Sequence, residues 1–280
     1  MKAKEKCNSI INSRFISPFR YPGGKNWFLP TARKWLNANK QPLSFLVEPY
    51  GGGAGVSLAA VNEGTVNKAI IAEIDPDVAA TWKTILNGHS DWLTKKILRQ
   101  EISRTKVINI LATKPKNIYQ AAFRCLIKNR TSRGGIINKG AGLLRSGDNG
   151  KGLKSRWYPL SLAQRIKRIS SIKHKINFYQ KDGAKLIDKH ASNKYALFFI
   201  DPPYTKAAKR LYSHWKINHT LLFKRLKRVK GHFLMTYDDS PEIRKLANKN
   251  GFKIKPILMS TTNHKNKKEL MISKSFKWSK

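Results

Sequence analysis

The chain has 280 residues, 40% of them hydrophobic, and its 56 Lys and Arg against 16 Asp and Glu give a formal net charge of +40. That apolar content can bury a real core in one large domain or two small ones, which excludes a wholly disordered chain, and such a cationic surplus points to a polyanionic partner, nucleic acid first. No apolar run reaches the roughly 20 residues of a membrane span, the N-terminus MKAKEKCNSI lacks a signal peptide's apolar core, and Cys7 and Cys125 cannot build a disulfide framework or a CxxC knuckle. A cytoplasmic protein that uses no metal and no membrane is expected.

Taken along the chain, SFLVEP (44–49) predicts a buried strand that runs into a glycine-rich turn and a helix over 54–63. KAIIAEI (68–74) predicts the next strand, with a helix over 77–87. A stretch of about 88–176 follows, too long for a crossover and therefore an inserted subdomain, with helical patterns at 91–104, 118–129 and 161–171. Its centre, 129–157, holds seven Gly and seven Lys or Arg against the single acid Asp148, a composition able to follow a phosphate backbone. YALFFI (195–200) and GHFLMT (231–236) predict further strands. Helices are expected over 216–230 and 242–250, the latter with Ser240 as N-cap and Pro241 in the first turn. Strand-like 252–259 and 268–274, joined by STTNHKNK, predict an antiparallel hairpin at one sheet edge. Alternating strands and helices give an α/β layer fold with a mostly parallel sheet.

Five acids lie inside apolar or Gly/Pro-rich segments where a solvated charge is out of place: Glu48, Glu73, Asp75, Asp77 and Asp201. LVEPYGGGAG is a strand, a glycine turn and a helix start, which lets backbone approach a ligand at the C-terminal end of a parallel strand. It matches neither GxGxxG nor GxxxxGK[ST], so dinucleotide and P-loop readings both fail. Glu73, 21 residues beyond Gly52 at the end of the next strand, can accept both hydroxyls of a ribose, which favours an adenosine-containing ligand over a tight turn plus a surface acid.

In YALFFIDPPY a strand delivers Asp201 to its end, and Pro202 and Pro203 stop the ladder, leaving an acid, a free carbonyl and the Tyr204 ring on one cleft. Two acceptors there can take both N–H groups of an exocyclic amine and aim its lone pair at an electrophile while Tyr204 stacks on the base. The competing account is a strand-end turn with a capping Asp.

With these residues in hand, the chain resembles the Dam-type DNA adenine-N6 methyltransferases, the D12 class, alpha group. FRYPGGK (19–25) is similar to the family's N-terminal motif, EPYGGGAGV to its glycine loop, IIAEIDPDV to its ribose-binding strand end, DPPY to its catalytic motif, and KKELMISK with Glu269 to its ending. The resemblance implies a Rossmann-like S-adenosylmethionine-dependent methyltransferase fold, with 1–87 and 177–280 forming the catalytic domain around a mainly helical target-recognition subdomain at 88–176. It implies S-adenosylmethionine as methyl donor, held by Tyr21, Gly23, Gly24, Lys25, Glu48, Tyr50, Gly51, Gly52, Gly53, Glu73, Ile74 and Asp201. Asp201, Pro202, Pro203 and Tyr204 would hold a flipped adenine. Two departures stand out: Ala54 replaces the third glycine of the loop pattern, and Glu73 replaces the commoner Asp.

Double-stranded DNA is the expected partner, with Asn129, Arg130, Ser132, Arg133, Lys139, Arg145, Lys154 and Arg156 as candidate contacts, mostly to phosphate. A cognate restriction endonuclease is a further expected companion. Amino methylation of N4 of cytosine or of adenine in RNA, and a non-catalytic basic DNA-binding protein, are the competing functions. LLFKRLKRVK predicts a helix with a solvated basic face. None of the seven histidines forms a metal-binding spacing.

Overall fold

The computed structural model describes residues 16–20, 23–138, 140–146, 150–204, 214, 216–260 and 266–279. Tyr21, Lys139 and Asp148, singled out above, lie outside them. The fully apolar segments become the centre of one sheet: β1 (Phe45–Glu48), β2 (Ala69–Ala72), β3 (Ile176–Tyr179), β4 (Ala196–Ile200), β5 (His232–Asp238), β6 (Lys253–Ser260) and β7 (Asn266–Ser273). Their order is β3-β2-β1-β4-β5-β7-β6. The first five run parallel, and β7 enters antiparallel between β5 and β6, with Thr236 opposite Met271 and Ile254 opposite Ile272. The expected hairpin is there, and its second strand, rather than its first, pairs with the parallel block.

Strand residues alternate between two apolar layers, as a period of two requires. Leu46, Ile71, Phe199 and Leu234 belong to one cluster, and Val47, Ile70, Phe198 and Phe233 to the other. Helices cover both faces, so β1, β2 and β4 are buried on either side and read as unbroken apolar runs.

The first layer is built by α1 (Leu29–Asn39), α2 (Gly55–Asn62), α3 (Pro76–Leu86), α4 (Ser90–Arg99), α5 (Arg104–Ala112), α6 (Ile118–Thr131) and α7 (Pro159–Ser171). α6 packs on α3, and α7 on α4. The pattern read as one helix over 91–104 is broken between Arg99 and Arg104, because Ser103 leaves helical geometry to cap α5 by accepting from the Lys106 N–H. The second layer is α8 (Gly183–His190), α9 (His219–Lys227) and α10 (Pro241–Lys249). α9 comes from the basic run, and Leu222, Phe223 and Leu226 face the core while its cations stay outside. Ser240 caps α10 through the Ile243 N–H, as expected.

Ile176, expected inside the insertion, opens β3, and α8 follows after only three residues. These two elements carry the sheet past β2 and add a further strand end to the ligand edge.

Phe199 is fully buried in β4 with its ring centroid 5.8 Å from that of Phe28. Phe199→Ala should lower the free energy of unfolding by about 3–5 kcal/mol through lost transfer energy and an unfilled cavity. Urea unfolding of the two proteins checks this.

Candidate functional site

At the C-terminal ends of the parallel strands opens a cleft of about 1300 Å³. The glycine loop after β1 forms one wall. Its Gly51 N–H donates to the Ala72 carbonyl at 2.8 Å and its Gly52 N–H to Glu73 Oε2 at 2.9 Å, while the Trp82 indole N–H donates to the Gly52 carbonyl at 2.9 Å. A Cβ on Gly51 would stand 2.4 Å from Ile71 Cγ2, so this contact between loop and β2 requires glycine. Ala54 is the one non-glycine residue with positive φ among those described, at φ 47°, ψ 36°. The missing third glycine is thus a left-handed alanine, strained by roughly 1–2 kcal/mol and held by packing at 1% exposure.

Glu73 lies one residue beyond β2, nearly buried, and accepts from Gly52 and from the Asp75 N–H at 2.8 Å. Burial pushes its carboxyl up to about 7, although backbone N–H groups of Asp75, Gly52 and Ile74 oppose the shift. Glu48, the last residue of β1, is 4% exposed and accepts from the Ser57 N–H in the first turn of α2 at 3.0 Å. Burial pushes it up to about 8, with the Asp201 charge adding to the shift and Lys25 opposing it. Asp75 and Asp77 have local roles. Asp75 caps α3 by accepting from Asp77 and Val78, and Asp77 sits in the first turn beyond it.

Asp201 follows β4 directly. Lys25 Nζ donates to its Oδ2 at 2.7 Å and to the Gly23 carbonyl at 2.8 Å, while Thr236 Oγ1 donates to Oδ1 at 2.7 Å. This pairing joins the GGK segment to the DPPY turn across 176 residues. Tyr204 departs from the expected base-facing pose: its ring stacks on Tyr237, centroids 5.7 Å apart. Its hydroxyl lies 2.9 Å from Glu269 Oε2 and 3.2 Å from Asp201 Oδ1, and one proton serves the nearer. Pro202 is buried, and Asp201 and Pro203 carry the motif's contribution to the cleft. Tyr237 is fully buried with its hydroxyl on His219 Nδ1, and Asp239 pairs with Arg244, so both are structural.

Gly23, Gly24, Tyr50, Gly53 and Ile74 all line the cleft beside these acids. Asp182, which sequence reasoning missed, does so as well: it caps α8 through the Ala184 N–H. The adjoining Gly183 has no room for a Cβ, which would stand 2.1 Å from the Pro49 carbonyl oxygen. The signal is KDGAK after the short strand INFY, hidden because the sequence pattern predicts no strand there.

The nucleic-acid candidates separate. Asn129 and Ser132 are fully buried, and Asn129 accepts from the Arg20 N–H at 2.9 Å while its amide donates to the carbonyls of Arg20 and Gly135. The expectation that these two reach DNA is corrected: the chain uses Asn129 to splice its N-terminal segment to the glycine turn after α6. Arg130 is also buried, yet it borders the cleft together with half-buried Arg156. Arg133, Arg145 and Lys154 are exposed.

Two buried carboxyls with raised pKa values bind protons that the unfolded chain has released above about pH 4.5. Their contribution to stability is full below that pH and is lost as pH rises toward 7 to 8, through Glu73 and then Glu48. Without added ligand, the wild type should lose more unfolding free energy between pH 5 and 8 than Glu48→Gln does, which paired urea titrations at each pH read directly.

Among solved structures, the chain is similar to the Bacillus subtilis tRNA methyltransferase TrmK, at 11% identity and TM-score 0.40, over 90% of this chain and 66% of that one. It is also similar to a putative RNA methyltransferase from Pyrococcus horikoshii, at 10% identity and TM-score 0.39, over 91% and 84%. A putative class I S-adenosylmethionine-dependent methyltransferase from Listeria monocytogenes gives 10% identity and TM-score 0.39, over 98% and 65%. Scores this low add nothing to what the topology gives. No curated protein matches. The family model for D12 class N6 adenine-specific DNA methyltransferases matches residues 21–262, which takes in the GGK segment, the glycine loop, the ribose-side acid, the DPPY turn and most of the chain between them. The chain belongs to that family: it is a D12 class DNA methyltransferase that uses S-adenosylmethionine to methylate adenine at N6.

Proposed function

We propose that this chain acts at specific sites in duplex DNA, flipping the target adenine into the cleft and presenting its amino group to Asp201. One observation carries the reading: the Asp201 carboxylate, the glycine loop and a wall of arginines border one continuous cleft. N6 is inaccessible within a base stack, so extrusion of the base, at a cost of a few kcal/mol, is the route by which an adenine reaches Asp201.

The residues present fit S-adenosylmethionine. Glu73 retains lone pairs beyond its two backbone bonds for a ribose diol, and Gly52 and Gly53, which border the cleft without side chains, let a ligand lie against backbone. Asp201, paired with Lys25, supplies negative charge in a chain of +40, and Glu48, which burial pushes up to about 8, supplies a hydrogen-bonding carboxyl. The bound cofactor supplies an electrophilic methyl on a cationic sulfur. Asp201, oriented by Lys25 and Thr236, accepts an N–H of the adenine amine and turns its lone pair toward that methyl; positioning and hydrogen bonding carry the catalysis. Tyr204 must leave Tyr237 and Glu269 to stack on the base, which makes its rotation part of base capture. In the same reading residues 88–176 form the target-recognition subdomain, with Arg133, Arg145 and Lys154 on phosphates, and site-specific modification of this kind is what a cognate restriction endonuclease would require.

The test is transfer of labelled methyl from S-adenosylmethionine to unmethylated duplex DNA and to RNA, with nucleoside analysis of the products. N6-methyladenine in duplex DNA is expected, and Asp201→Ala should lose about a hundredfold or more of the rate while binding DNA as the wild type does. Because Lys25 is left unpaired in that variant, Asp201→Asn with a matched melting temperature is the second arm. Modified cytosine or RNA as the product, or full activity in both variants, would refute the proposal.

A further inference from the structure

The DPPY turn is held by a residue from a strand to which methyl transfer, as described so far, gives no part. β7 runs against β5, so its first half reaches the ligand edge, and Glu269 stands there opposite Asp238, the last residue of β5. Glu269 is 1% exposed. Like-charged side chains directly opposite each other are destabilising, and buried carboxyls need donors. The Tyr204 hydroxyl, 2.9 Å from Glu269 Oε2, is such a donor.

Tyr204 is fixed in this pose from several sides. Its ring stacks on Tyr237, Lys25 Nζ stands over it 5.2 Å from the centroid, and its hydroxyl points to Glu269. Burial, with the charges of Asp201 and Glu269, holds the phenol well above its ordinary range, so the hydroxyl keeps its proton and donates. The same hydroxyl lies 3.2 Å from Asp201 Oδ1, but Asp201 is already served by Lys25 on Oδ2 and by Thr236 on Oδ1. Release of Tyr204 therefore leaves the amine acceptor oriented as before. The bond that has to break is the one to Glu269, and a hydrogen bond to a carboxylate is roughly twice as strong as a neutral one.

We propose that Glu269 is a positioning residue for methyl transfer, a catch that keeps the Tyr204 ring off the base site until an adenine enters and offers its own stacking in exchange. Resting on the functional reading above, this role gives the buried acid of β7 a part in base capture. A ligand that needs a minor conformation binds more weakly by the fraction of protein in that conformation. The catch lowers the population of released Tyr204, so it weakens the hold on a flipped base and keeps the aromatic platform shut while the cleft is empty. Glu269 acts through Tyr204 alone and touches neither the base nor the cofactor side of the cleft.

The test uses the full chain and a short duplex carrying the site that the labelled-methyl assay identifies, with 2-aminopurine in place of the target adenine. This base brightens when it leaves the stack, and S-adenosylhomocysteine is kept present so that no methyl is transferred. Glu269→Gln retains the shape with a weaker acceptor, and Tyr204→Phe retains the ring without the donor. Both variants should capture the base more tightly than the wild type and brighten it more, Glu269→Gln by several-fold and Tyr204→Phe by roughly tenfold. The double variant should gain no more than Tyr204→Phe alone, because both changes act on one bond. A Glu269 that serves only the fold lowers the melting temperature and leaves base capture at or below the wild-type level. That result in folded variants overturns the catch, as does a double variant whose gains add. If Glu269→Gln does not fold, Tyr204→Phe decides alone. Absence of N6-methyladenine from wild-type reactions is a separate failure, which overturns the methyltransferase reading and the catch with it.

Discussion

Three carboxylates at the C-terminal ends of neighbouring strands set the terms for the rest of the molecule. Glu48 ends β1, Glu73 follows β2 and Asp201 follows β4. Buried acids need hydrogen bonds or cations, and the partners they recruit define the architecture around them. The Ser57 N–H fixes where α2 begins relative to β1. The Gly52 N–H bends the glycine loop over β2. Lys25 brings the N-terminal segment across the sheet to the DPPY turn. In a chain so rich in cations these three carboxyls are gathered on one edge, where each of them borders the cleft.

Much of this was legible because the responsible patterns are local. Unbroken apolar runs such as YALFFI leave no surface face, so they read as central strands, and an acid or Pro at the end of such a run reads as its exit into the ligand edge. Ser240-Pro241 announces a helix start for the same reason. INFY was not legible: its last three residues are only partly buried and lysines flank it, because edge position in the sheet relaxes the demand for apolar residues. The unpredicted strand concealed Asp182, whose role follows entirely from which strand precedes it.

Polar residues were the harder class. Asn129, Arg130 and Ser132 lie in a basic, glycine-rich sequence that suggests surface, yet long-range packing buries all three. Sequence composition reports how many charges a segment carries and says nothing about which main-chain carbonyls wait elsewhere to receive them. Tyr204 is similar: its position in the motif was evident, but its orientation depends on Tyr237 and Glu269, residues 33 and 65 positions away.

The glycine loop has little conformational freedom left to lose. Gly51 and Gly52 use their N–H groups on the neighbouring strand end, Trp82 holds the Gly52 carbonyl, and Ala54 is already fixed in a backbone conformation it would not choose. Ordering a residue costs roughly 1–2 kcal/mol of entropy, and folding has met that cost here before any ligand arrives. A ligand settling against this loop therefore meets a preorganised surface, and more of its contact energy appears as affinity.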